Sequence, residues 1–201
     1  MSYLKEIRIS GSGGQGIILA GIILAEAAML DGKNVVQTQS YGPEARGGAS
    51  KAEIIIADDF IDYPKVFLAD IQLALTQEAC DQYAGLIKRN GILIVDEDKV
   101  SNLPSTAAQV YQFPIVRLAK EKVGKEQTAN MVALGVLVSI TGVVSREALE
   151  QAVEARVPSS WKEVNQEAIS LGWELGTASQ SIAQGLWHGG DLSDFCNPNL
   201  S

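Results

Sequence analysis

The stretch GSGGQG, residues 11–16, stands directly after a strand-like run ending in IRIS and directly before IILAGIILAEAAML. A strand, a Gly-x-Gly-x-x-Gly turn and a helix in that order open a βαβ unit, which points to an α/β sheet flanked by helices. Gly11 and Gly13 permit a tight bend and close backbone approach, and Gly16 lets the helix lie near the strand. Backbone N–H groups at the helix start then face outward, where an anion can meet them. Gly11, Gly13, Gly14, Gln15 and Gly16 are therefore candidate ligand contacts.

A bound dinucleotide makes a further demand, an Asp or Glu near the end of strand two to hold a ribose hydroxyl. This chain has VVQTQSY there, with Gln37, Gln39 and Ser40 but no charge. Three alternatives to a dinucleotide remain for the turn: a purely structural bend, a phosphate-bearing ligand and a partner-chain contact. The following helix is apolar around nearly its whole circumference until Glu26. A helix lying on one sheet face carries a polar outer stripe, so this one needs cover on a second side, from more helices or from another chain.

The remaining pattern predicts strands over residues 5–10, 34–39, 50–58, 71–76 and 92–98, with an edge strand over 108–114. Strands one and two are expected as a parallel pair. No crossover helix separates strands two and three, so strand three is expected antiparallel to strand two. QEACDQYAGLIKRNG reads as a helix ending at Gly91. Further helices are expected over 115–123, 129–140, 146–155 and 161–175, with Thr128 and Ser145 as N-caps. The expected fold is a Rossmann-like three-layer α/β/α domain with a mixed, mostly parallel sheet and a C-terminal helical segment. It forms one domain over residues 1–176, followed by an irregular tail over 177–201.

Composition excludes several functions. Sixteen basic residues face twenty-four acidic ones with no basic stripe, which argues against nucleic acid as a partner. No secretory signal is visible at MSYLKEIRIS, and the apolar run over 17–30 falls short of the ~20 residues a membrane-spanning helix needs. A cytoplasmic location away from the membrane is expected. Cys80 and Cys196 are too few for a conventional iron–sulfur cluster. Cys80 reads as a small buried hydrophobe. Asn130 is expected to satisfy backbone near the start of its helix. Asp96, Glu97 and Asp98 end strand five, but adjacent acids on an extended chain point to alternate sides, so no metal site is expected.

SYGPEARGGASKAE is the most distinctive stretch. It leaves the carboxyl end of strand two, as the glycine turn leaves that of strand one, so the two loops are expected side by side on the ligand-binding edge of the sheet. Gly42-Pro43 restrains the loop, and Gly47-Gly48 turns it into strand three. Glu44 and Arg46 are held between them, either as a solvated pair or with Arg46 offering its planar fork to a phosphate or carboxylate. Tyr41, Gly42, Glu44, Arg46, Gly47 and Gly48 join the candidate contacts.

GSGGQG and YGPEARGG at this spacing, with NMVALGVLVSITGVVSREALEQAV and NQEAISLGWELG further on, resemble the gamma subunit of the 2-oxoacid:ferredoxin oxidoreductases from Tyr3 to Gly176. The resemblance is strongest to the 2-oxoglutarate enzymes, since the indolepyruvate branch shares GGQG and RGG but usually lacks Tyr-Gly-Pro-Glu. It implies a subunit of a hetero-oligomeric oxidoreductase that oxidatively decarboxylates a 2-oxoacid to acyl-CoA. Thiamine diphosphate and iron–sulfur clusters are then carried by thiamine-binding and ferredoxin-like partner chains. This chain holds no catalytic centre or metal of its own, packs on the catalytic subunits and helps cover or bind coenzyme A (CoA). A stand-alone nucleotide-binding or regulatory module is the alternative. A nicotinamide-dependent dehydrogenase domain is a third reading, disfavoured by the missing strand-two acid.

Overall fold

The computed structural model describes residues 3–40 and 49–183. Six strands form one sheet: β1 (Leu4–Ser12), β2 (Asn34–Ser40), β3 (Ala49–Ala57), β4 (Ala69–Ala74), β5 (Ile87–Asp96) and β6 (Gln109–Phe113), in the spatial order β2-β3-β1-β4-β5-β6. The pairs β1–β4, β4–β5 and β5–β6 are parallel, while β3 runs antiparallel to both β1 and β2. The expected mixed, mostly parallel α/β sheet is present, with β6 at one edge.

The topology departs from expectation in one respect. β1 and β2 point the same way but are not neighbours, because β3 lies between them. The short β2–β3 connection folds β3 back as a hairpin partner, and β3 then fills the place beside β1.

Strand alternation separates the core into two unequal halves. Ile7, Ile9, Ile54, Ile56 and Ile94 face the main helical layer, while Leu93 and Val95 face the other side. The main layer contains α1 (Ile17–Leu30), α3 (Ile115–Glu121), α4 (Ala129–Thr141), α5 (Arg146–Arg156) and α6 (Lys162–Ala183). The other face carries α2 (Gln77–Tyr83), where Ala79 and Cys80 pack on Leu93 and Val95. The all-round apolar character of α1 is explained within the chain for most of its length, although Leu19, Met29 and Leu30 stay exposed. Its inner side lies on β1, β2 and β3, and α4 and α5 cover it from outside, with Arg156 of α5 paired to Glu26.

Several local expectations are corrected. The segment up to Gly91 is not one helix: α2 ends at Tyr83, a 3-10 turn spans Ala84–Leu86, and β5 begins at Ile87 and runs through Gly91. Ile87 pairs with Ala69 and Ile92 with Ile71, so a bulge lies between, with Gly91 pressed against the Asp70 carbonyl oxygen (2.9 Å from a Cβ built there). A glycine within a strand commonly marks such a bulge. Ser145 caps α5, accepting from Ala148 N, and its hydroxyl donates to Asp31 at 2.7 Å. Thr128 stands at the N-cap position of α4 as expected, but its side chain makes no capping hydrogen bond. It ends a 3-10 turn that runs straight into the helix, and its hydroxyl donates to the Lys125 carbonyl at 2.8 Å. α6 continues past Gly176 to Ala183, so the tail expected from residue 177 begins as helix, and residues 184–201 lie outside the described residues.

Cys80 is fully buried, and that burial, reinforced by the neighbouring Asp81, pushes its thiol pKa up. The thiolate is the reactive species. In a Cys196→Ser variant at pH 8, Cys80 is expected to react with a disulfide reagent at least ~100-fold more slowly in the folded chain than in denaturant. A stopped-flow colour change checks this, and equal rates would show that Cys80 is accessible.

Candidate functional site

The glycine turn is built from both sides. Gly14 and Gly16 adopt φ of 88° and 70°, in the left-handed region that favours glycine. The Gln15 side chain folds back over Gly11, and its Oε1 accepts from Ser12 N at 2.8 Å. Asn130, on the first turn of α4 and buried, donates from Nδ2 to the Gly16 carbonyl at 3.2 Å. A Cβ on Gly16 would strike the Asn130 amide. The satisfied backbone group expected of Asn130 thus belongs to the N-cap of α1 rather than to its own helix. The close approach of α1 to the sheet occurs at Gly21, where an added Cβ would meet the Ala52 Cβ at 2.5 Å, and not at Gly16.

Gly13 differs from its neighbours. Its φ is ordinary, and nothing lies within 4 Å of a Cβ built on it. The fold itself leaves room for a side chain there, and that open space faces solvent.

A cleft of about 460 Å³ opens beside the turn, lined by Ser12, Gly14, Gln15, Lys99, Val116, Glu126, Gln127 and Ala129. It lies at the carboxyl ends of β1, β5 and β6, the edge at which open α/β sheets bind ligands. The acids ending β5 shape this edge. The buried Asp96 carboxylate accepts backbone N–H groups from Asp98 (3.0 Å), Lys99 (3.1 Å) and Val116 at the start of α3 (2.7 Å). Burial raises its pKa, while those three N–H groups act in the opposite direction. Glu97 and Asp98 pair with Arg117 at 2.7 and 3.1 Å. Each of the three acids therefore has a structural partner. Among the described residues no group of three His, Cys, Asp or Glu is placed to hold a metal ion.

Tyr41, Gly42, Glu44, Arg46, Gly47 and Gly48 lie outside the described residues. Their described neighbours are placed. Ser40 pairs with Lys51, and Ala49 pairs with Ser12 at the end of β1, so both anchors of that segment stand on the rim that carries the glycine turn. With β3 interposed, the end of β2 is not beside the turn, so Gln37 and Gln39 do not occupy the position from which a dinucleotide fold reaches the ribose. Sequence reasoning missed Lys99, Glu126 and Gln127. The available signal was position, since Lys99 follows the carboxyl end of a central parallel strand.

Residues 6–175 match the family described as pyruvate ferredoxin/flavodoxin oxidoreductase. The chain is 51% identical over 174 residues to 2-oxoglutarate synthase subunit KorC of Methanocaldococcus jannaschii, covering 85% of this chain and 93% of that one. Among solved structures it is similar to the keto/oxoacid ferredoxin oxidoreductase gamma subunit from Geobacter sulfurreducens PCA, with 54% identity, a TM-score of 0.79, and 87% and 99% of the two chains covered. The fold also matches 2-oxoglutarate:ferredoxin oxidoreductase from Magnetococcus marinus, solved with 2-oxoglutarate, coenzyme A and succinyl-CoA bound, at 23% identity and a TM-score of 0.78. That match covers 87% of this chain but 31% of the other, so there the same fold is one part of a longer polypeptide. The chain therefore belongs to the pyruvate ferredoxin/flavodoxin oxidoreductase family, as a member of its gamma-subunit type.

Proposed function

We propose that this chain is the gamma subunit of a cytoplasmic 2-oxoglutarate:ferredoxin oxidoreductase, and that its carboxyl rim packs toward the catalytic subunits and helps bind CoA. The observation that carries the proposal is the cleft beside GSGGQG, lined by Gln15, Lys99 and Gln127 among others, on the rim that also anchors the YGPEARGG segment. A phosphate-bearing ligand suits such a rim, because backbone N–H groups and cations there need no rearrangement to meet an anion.

The resident redox groups belong elsewhere in this reading. An iron–sulfur cluster needs several closely spaced thiolates, and the chain has two cysteines, of which Cys80 is buried on the inner face of α2. Those groups supply decarboxylation and electron transfer on partner chains. The residues of this chain bind and orient the acyl acceptor, and Arg46 is its proposed charged contact from the YGPEARGG segment.

The test is reconstitution. The isolated chain is expected to show no 2-oxoglutarate-dependent viologen reduction with CoA, and the complex with its thiamine-binding and ferredoxin-like partners to show it. Arg46→Ala in that complex should raise the KM for CoA or weaken assembly. Turnover by the isolated chain, or wild-type behaviour of Arg46→Ala on both counts, would overturn the respective claim.

A further inference from the structure

β2 closes the sheet at one end and pairs with β3 alone. In an antiparallel ladder every second residue turns its N–H and C=O away from the partner strand, so the outer side of β2 carries a row of such groups. Outside that ladder, the β2 backbone takes one hydrogen bond among the described residues, from Gln37 Nε2 to the Thr38 carbonyl at 3.3 Å. Sheet edges are ordinarily blunted by lysine, proline or a bulge. NVVQTQS has no charge and no proline, and its register with β3 is unbroken from Asn34 to Ser40. What fits such an edge is a further strand, whose alternating donors and acceptors match it along its length.

The helix above this edge is open on the same side. Ile17 lies against Gly11 of β1, and Gly21 lies against Ala52 of β3 with Gln37 of β2 next to it. At about 100° per residue, Ile18, Ile22 and Met29 come next around the helix in that same direction, past β2 and away from β1. Ile18 and Ile22 are half-buried and Met29 is 66% exposed. Glu26, the acid of this helix, is paired with Arg156, so the stripe is uncharged. The opposite edge differs. β6 has five residues against seven, and α3, which follows it, carries Arg117, Lys120 and Glu121 on its outer side.

We propose that the β2 edge and the α1 stripe join two copies of this chain about a two-fold axis. Antiparallel pairing of β2 with β2 of the second copy joins the two six-stranded sheets into one, with the axis perpendicular to it. That axis keeps both α1 helices on one face, side by side across the seam. α1 lies over β2 and β3, and strands stand about 4.8 Å apart, which puts the two helix axes about 10–14 Å from each other. Ile18, Ile22 and Met29 of each copy fill the space between them. The surface is its own complement, as a two-fold interface requires. Its lack of charge keeps like charges out of the seam in a chain of net charge −8.

Analytical ultracentrifugation of the full chain at about 100 μM should give twice its mass of 21.4 kDa. Met29→Lys combined with Gln39→Lys should weaken the association at least about tenfold. Both positions are exposed, so far-UV circular dichroism should match wild type. Leu103→Lys, an exposed site in the β5–β6 connection, should leave the dimer in place. Amide hydrogen exchange reads the edge without any substitution, and at residues 35–39 it should slow as the chain is concentrated. A wild type of single mass at that concentration, a dimer that survives the double variant, or exchange at 35–39 independent of concentration overturns the proposal. So does protection of these amides only in the complex with the thiamine-binding subunit, which would assign the edge to a strand of that partner.

Discussion

Arg8→Leu is expected to destabilise the folded chain by about 3–5 kcal/mol, the range for stranding a buried charge. Arg8 lies between Ile7 and Ile9 on β1 and is 1% exposed. Its Nε and Nη2 both lie 2.9 Å from Glu53 Oε1, directly across on β3, and its Nη2 donates to the Val66 carbonyl at 2.7 Å. Nη1 reaches the Leu86 carbonyl at 3.3 Å, and the guanidinium lies over the Tyr83 ring. One side chain therefore satisfies a buried carboxylate and fastens two loops to the sheet. Lys51, 3.0 Å from the same Glu53 oxygen, is the partner left when Arg8 is gone. Urea unfolding measures the loss. The double variant Arg8→Leu, Glu53→Leu should recover much of it, since an apolar pair removes the stranded charge. A double variant no more stable than the single would mean that the fastened loops, not the ion pair, dominate.

Gly172→Val should lower stability by about 3 kcal/mol or more. α4 and α6 approach so closely that a Cβ on Gly172 would enter the Val132 carbonyl group, with the carbonyl carbon at 2.9 Å and Val136 N at 3.0 Å. Gly135 meets the backbone of α6 from the other helix in the same way. Backbone cannot rotate aside as a side chain can, so the two helices must separate and open the core along their length. Gly85→Ala is the control: nothing lies within 4 Å of its added Cβ and its φ is ordinary, so its unfolding midpoint should stay near wild type. A Gly172→Val midpoint equal to that control would show that the helices slide apart freely.

The sequence was most legible where local pattern and tertiary demand agree. The strand–glycine–helix opening, the antiparallel return of β3, the edge strand β6 and the Ser145 cap all follow from hydrophobic period, loop length and capping chemistry. The segment before Gly91 failed because its helical pattern continues past Tyr83, while Ile87 gains a partner in Ala69 and Lys88 gains ion pairs to Glu6 and Asp70 only by becoming strand. The stretch after Gly176 failed for the opposite reason. Its small polar residues lack strong helix propensity, yet Ala178 is buried and Gln180 donates to the Ile140 carbonyl at 2.8 Å, so packing on α4 keeps it helical.

The candidate site divides along the same line. GSGGQG announced a turn that can approach an anion, and its place after a strand fixed the rim on which it stands. Nothing local could bring Asn130 to the Gly16 carbonyl, or Lys99, Glu126 and Gln127 to the same cleft, because those groups are separated from the turn by several strands and helices. By itself the sequence determined the class of sheet, the family and the chemistry of the turn, since these depend on short-range pattern and on motifs at fixed spacing. Only the tertiary structure decided that β3 stands between β1 and β2, that helices cover α1, and that a buried arginine holds two loops to the sheet. Those outcomes depend on which distant surfaces bury one another, and each strand or helix was compatible with several such arrangements until the whole chain had packed.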